Sequence, residues 1–172
     1  MPLLKVICQH DPYFAQLGQI KYHDETARKN VIDYCLQPDK TSPELIGGIG
    51  VNIGQATYEM TRLAQAYGKD SGLRLRHWIL SFSPQEARRF RKRKYEMLKN
   101  IAWYAAEYYG NEYQTIFAVH TDGECPHIHF VMNTVNFVTG SKYGGKKKDY
   151  FQYQKYLSDF FERYGMKLEV GF

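Results

Sequence analysis

The period of the apolar positions changes along the chain, and each change marks an element. LLKVICQ, from Leu3, reads as a first strand. Asp24 can cap a helix with Ala27, Val31 and Tyr34 or Cys35 at helical spacing, and Pro38 stops it. PELIGGIGVNIG is glycine-rich and reads as loop. Ala56, Met60, Leu63, Ala64 and Tyr67 recur as a second helix, with Gly68 as its terminator. Leu75 to Ser81 alternates as a strand. SPQE then opens a helix: Ser83 as N-cap, Pro84 at the first helical position, Glu86 completing a capping box. The pattern predicts that this helix runs to Gly110 with Phe90, Met97, Ile101, Ala105 and Tyr108 on one face. Thr115 to His120 and His127 to Asn136 read as two strands. Asp149 caps a last helix with Tyr153, Leu157, Phe160, Phe161 and Tyr164 inward; Gly165 ends it, and Lys167 to Val170 forms a short strand.

This order fits neither strict βα alternation nor an all-β pattern. It predicts an α+β fold: a mostly antiparallel five-stranded sheet with flanking helices. The 172 residues, 44% hydrophobic, suffice for one domain spanning 1–172 with a real core. That domain is expected to be the N-terminal part of a longer protein. No apolar run reaches the roughly 20 residues that cross a bilayer, and MPLLKVICQHDPYF lacks a signal-peptide pattern, so no membrane partner is expected. Cys8, Cys35 and Cys125 form no disulfide framework, which points to a reducing cytoplasm. The net charge of +5 favours a polyanionic partner.

The densest chemistry lies in HTDGECPHIHF, His120 to Phe130. Residues i and i+2 of a strand share a face, so His127 and His129 present their imidazoles side by side while Ile128 faces the other layer. The Asp-Gly of the connection signals a tight turn, which lets His120 lie opposite that pair. Three converging imidazoles leave open coordination positions, the catalytic and not the structural arrangement. Ligand type alone admits Zn, Mn, Fe, Co or Ni. Asp122, in the same turn, is placed to orient a histidine. The plainer alternative is three partly exposed histidines beside a hairpin.

HTDGECPHIHFVMNTVN resembles the third motif of conjugative relaxases, in the HUH (His-hydrophobic-His) endonuclease superfamily, closest to the MOBP class of mobilisation nucleases. VIDYCLQPDK resembles that family's first motif, HWILSFSPQE its second, NTVNFVTGSKY the run after the histidines and SDFFERYGM its final helix. The resemblance implies nicking of single-stranded DNA at an origin of transfer, through attack of a tyrosine on the scissile phosphate and a 5′-phosphotyrosyl intermediate. It implies a divalent metal on His120, His127 and His129, with Mn or Mg first and Zn, Co or Ni as alternatives. Tyr34 matches the nucleophile position; Tyr22 and then His23 are the alternatives. Asp122 is a candidate for assisting the proton transfer. Implied partners are origin DNA (a hairpin plus a single strand at the nick), accessory transfer proteins and a coupling protein in a bacterial cytoplasm. A replication initiator or transposase of the same superfamily would instead use Tyr153 or Tyr156. A non-catalytic DNA-binding domain would keep the metal for structure only.

Two basic stretches are candidate DNA contacts. RRFRKRK holds six cations around one phenylalanine, Arg88 and Arg91 among them. GSKYGGKKK contributes Lys142, Lys146 and Lys147 and is expected beside the active site because it follows the histidine strand. A solvated helix face and a plain connector are the respective alternatives. By resemblance to the second motif, Ser81 and Ser83 are candidate phosphate donors, although Ser83 also fits as a helix cap alone.

Overall fold

The computed structural model describes residues 1–7 and 22–171. Its strands are β1 (Leu3–Ile7), β2 (Ile46–Ile49), β3 (Leu75–Ser81), β4 (Tyr113–His120), β5 (His127–Asn136) and β6 (Glu169–Gly171). Its helices are α1 (Ala27–Cys35), α2 (Ala56–Ala66), α3 (Pro84–Arg91), α4 (Glu96–Gly110) and α5 (Lys147–Glu162). The strands form one six-stranded sheet in the order β2-β4-β5-β3-β1-β6. Every pairing is antiparallel except β1 with β6, which is parallel. Among the described residues, no helix is long and apolar enough to cross a membrane.

Helices cover both faces of the sheet. Leu80, Phe117, Val119, Ile128 and Phe130 pack on one face against Leu98, Ile101 and Ala105 of α4 and Leu157 and Phe161 of α5. Ile79, Ile116, Ala118 and Val131 pack on the other against Val31, Ile32 and Cys35 of α1 and Met60 of α2. Each fully buried Leu, Ile or Phe contributes roughly 1.5–3 kcal/mol by leaving water. Central strand β5 is therefore buried along both faces after His127.

Several expectations change, two of them small: Thr26, not Asp24, is the N-cap of α1, and Tyr164 is exposed, not inward. The glycine-rich run is not all loop: Ile46–Ile49 is an edge strand paired with β4. Its glycine serves packing, since a Cβ on Gly47 would stand 2.4 Å from Phe117 Cζ and 2.9 Å from Trp103. The helix from Ser83 to Gly110 is two helices, broken where Lys94 and Tyr95 take positive φ of 47° and 61°. Cations at helical spacing (Arg88 with Lys92, Arg89 with Arg93) repel there. On the second helix Leu98 and Tyr109 are buried, while Met97 and Tyr108 pack only partly buried against the same core. Finally, Asp149 is no N-cap: α5 begins at Lys147, and the Asp149 carboxylate accepts hydrogen bonds from the hydroxyls of Tyr109, at 2.9 Å, and Tyr143.

Candidate metal and nucleophile site

The β4–β5 register brings the histidines together. His120 pairs with His127, and Ala118 with His129, so all three imidazoles leave the sheet on the α1 side. Their ring centroids lie 4.3 Å (His120 to His129), 4.9 Å (His127 to His129) and 5.1 Å (His120 to His127) apart. One ring nitrogen from each falls within 4.8 Å of the others, close enough for a single ion.

The hydrogen bonds fix which nitrogens are free to ligate. His120 donates from Nε2 to the Cys35 carbonyl at 2.8 Å, and His127 from Nδ1 to the Cys125 carbonyl at 3.1 Å. Nδ1 of His129 meets Nε2 of His77 at 2.8 Å. That leaves His120 Nδ1 and His129 Nε2 buried with no hydrogen-bond partner. A buried polar atom left so costs about 1–3 kcal/mol unless something fills the role. Burial also holds the imidazoles neutral: His120 is pushed down to about 4, and His129 and His127 also lie below the usual histidine range. Neutral rings with unshared lone pairs facing one another fit a divalent cation. A second trio, Cys35, His77 and His129, meets the same spacing. Burial raises the Cys35 thiol, away from the thiolate a metal needs, and the His77–His129 hydrogen bond occupies the facing nitrogens.

Tyr34 stands at the C-terminal end of α1, half-buried against the trio. Its ring centroid is 5.8 Å from that of His120 and 5.5 Å from that of His129. Lys40, just after the helix, holds its ammonium 5.4 Å from the Tyr34 ring centroid and 3.5 Å from the Asp122 carboxylate. Asp122 thus faces a lysine, and the three ring N–H groups use Cys35, Cys125 and His77 as partners. α1 is pinned at its first turn as well, where buried Arg28 donates to Asp70 at 2.7 Å and to Asn133 at 3.3 Å.

The alternatives fall elsewhere. Tyr22 is 4% exposed, and its hydroxyl meets His77 Nδ1 at 2.8 Å, which puts His77 between it and His129. The exposed His23 supplies its backbone carbonyl to Arg74. Tyr153 and Tyr156 lie across the sheet: the first bonds Trp78 and the Ala105 carbonyl, the second donates to the Tyr104 carbonyl.

Of the candidate DNA contacts, Ser81 pairs with His127 and so shares its face. Ser83 forms the capping box with Glu86. Arg91, near the end of α3, reaches the Gly123 carbonyl in the histidine turn at 3.5 Å, and Arg88 is exposed on the same helix. The glycine-lysine loop is not beside the histidines. It follows Asn136, at the end of β5 opposite His127, because the strand carries the chain away from the site before the loop begins. There Lys142 donates to the carbonyls of Lys69 and Ser71, whereas Lys146 and Lys147 start α5. His77 and Lys40 were missed by the sequence reading. The parity of His77 with Ile79, on the strand that flanks His129, was the available signal; Lys40 had none beyond closeness to Tyr34 along the chain.

Two proteins named "Protein rlx" from Staphylococcus aureus are 30% identical over 103 residues and 31% identical over 98 residues. These stretches cover 59% and 57% of this chain but only 30% and 29% of the relatives, so the chain matches under a third of their length. Residues 34–166, from the tyrosine beside the histidines to just beyond the last helix, match the family described as "Relaxase: MobA/VirD2-like, nuclease domain", and the chain belongs to that family.

Proposed function

We propose that this domain nicks one strand of origin-of-transfer DNA by transesterification, with Tyr34 as nucleophile, to start conjugative transfer of a plasmid or integrative element. The observation that carries the reading is the Tyr34 ring set against two members of a neutral three-histidine cluster. The phenolic oxygen attacks the scissile phosphorus, the P–O3′ bond breaks, and the departing O3′ takes a proton from water to leave as a free 3′-OH. The phosphate stays on Tyr34 as a 5′-phosphotyrosyl ester, which the 3′-OH can later reverse. His120 Nδ1, His129 Nε2 and the free nitrogen of His127 would hold a divalent ion, Mn or Mg foremost, that neutralises the non-bridging phosphate oxygens. The phenolic proton passes towards Asp122, whose partner Lys40 balances charge at the attacking oxygen.

Ser81, Ser83, Arg88 and Arg91 form the phosphate-contacting edge nearest the nick. Lys146 and Lys147 contact DNA away from it, and Lys142 serves chiefly to anchor the loop. Accessory transfer proteins and a coupling protein complete the machinery in a bacterial cytoplasm. The placement of Tyr153 and Tyr156 across the sheet counts against an initiator or transposase that would use them.

The test is incubation with a single-stranded origin oligonucleotide and Mn²⁺, followed by mass spectrometry of the adduct. A DNA-linked Tyr34 peptide is expected, with Tyr34→Phe losing the adduct and nicking while still binding DNA. An adduct on another tyrosine would sink the assignment, and DNA binding without any nicking would favour a non-catalytic domain.

A further inference from the structure

Behind the histidine trio lies a second polar row, led by the first residue of HWILSFSPQE. His77 of β3 is 1% exposed and stacks on His129, ring centroids 5.1 Å apart at an angle of 25°. Its Nε2 lies 2.8 Å from His129 Nδ1, and its Nδ1 lies 2.8 Å from the Tyr22 hydroxyl. Two ring nitrogens at that distance share one proton, so one donates and the other accepts.

Two arrangements satisfy the contact. If His77 donated, the proton of His129 would sit on Nε2, a buried nitrogen with no acceptor, pointing into the trio. The trio would then lose a ligand. If His129 donates from Nδ1, its Nε2 lone pair faces His120 and His127, and the proton of His77 sits on Nδ1, where the Tyr22 oxygen accepts it. Only the second arrangement lets all three rings ligate.

We infer that His77 is a positioning residue for the metal site: it accepts the Nδ1–H of His129, fixes that ring's tautomer and rotation, and is itself held by Tyr22. The inference rests on the metal-binding reading of the trio. The role is the one the sequence assigned to Asp122, which the structure pairs with Lys40 instead. The substitution matters chemistry-wise. A carboxylate behind a ligating histidine adds negative charge to the site, whereas a neutral imidazole orients the ring and leaves the ion its full positive charge for an anionic phosphate.

Two measurements test this without DNA. In the first, long-range ¹H–¹⁵N correlation on the metal-free protein locates the proton of His129. It is expected on Nδ1; a proton on Nε2 overturns the inference whatever the metal does. In the second, Mn²⁺ alone is titrated against wild type, His77→Leu, which keeps bulk and removes the acceptor, and His77→Gln, whose amide oxygen can still accept. His77→Leu is expected to weaken Mn²⁺ binding roughly 10- to 100-fold, with His77→Gln recovering most of it and Tyr22→Phe falling between. Equal Mn²⁺ affinity in wild type and a folded His77→Leu overturns the role. Should His77→Leu fail to fold, the ordering of wild type, His77→Gln and Tyr22→Phe decides, and no loss in either sinks the inference. If wild type binds no divalent ion at all, the trio reading itself falls, while the proton position still judges His77.

Discussion

Lys40 bridges two functional candidates that the sequence leaves separate. Its ammonium reaches the Tyr34 ring and the Asp122 carboxylate together. Replacing it by glutamine keeps length and hydrogen bonding and removes the charge. Lys40→Gln is expected to slow single-turnover nicking roughly tenfold, about 1.4 kcal/mol, with DNA affinity changed far less; an unchanged rate removes Lys40 from the chemistry. At this scale the histidine trio was legible because strand parity and one turn decide it. Tyr34 was legible only through its surrounding motif, since parity and spacing say nothing about which of 15 tyrosines crosses to a sheet. His77 was harder for a related reason: its partner is 52 residues away, and strand parity gives the face it takes but not what it touches.

Among the elements, strands and helices with a clean period were readable, and β3 spans the residues expected. The failures occur where packing overrides local pattern. β2 carries two glycines in a four-residue strand, a composition that reads as loop, yet close approach to Phe117 and Trp103 demands it. Gly47→Ala therefore forces those rings to shift and is expected to destabilise the fold by about 1–3 kcal/mol, as overpacking does. Urea unfolding measures it, and an unaltered midpoint would mean the aromatic neighbours yield without strain. The α3–α4 break falls inside the charge run, where like cations at helical spacing disfavour one continuous helix, and Phe90 and Leu98 are buried on either side of it.

For the molecule as a whole, the buried histidines make stability depend on pH. His77 is pushed down to about 3 and His120 to about 4, both chiefly by burial, whereas in the unfolded chain each titrates near 6.5. Below 6.5 the unfolded chain binds protons that the folded one refuses, so these groups withdraw stability as pH falls from about 6.5 towards 4. Above 6.5 both states are neutral and these groups have no effect. The melting temperature of metal-free protein is thus expected to fall between pH 7 and pH 4.5 and to stay level, as far as these groups are concerned, from pH 7 to pH 8. A level profile down to pH 4.5 would contradict neutral buried imidazoles. The layered α+β architecture was legible because the element order constrains it. The sixth strand was not, because the glycine-rich Ile46–Ile49 becomes a strand only by pairing with β4 at the edge of the sheet.

One contact joins two parts of the site that the chain keeps 85 residues apart: the hydrogen bond from His120 Nε2 to the Cys35 carbonyl, next to Tyr34 on the last turn of α1. A cation on the other nitrogen of His120 draws electron density through the ring, which makes that N–H a stronger donor to the helix end. If the trio holds an ion, its capture and docking of the tyrosine helix would reinforce each other, and thermodynamic reciprocity would require the two factors to be equal. A substitution that loosens α1 far from the histidines, at Arg28 for example, would register as a weaker grip on the ion, and chelation of the ion as faster amide exchange along α1.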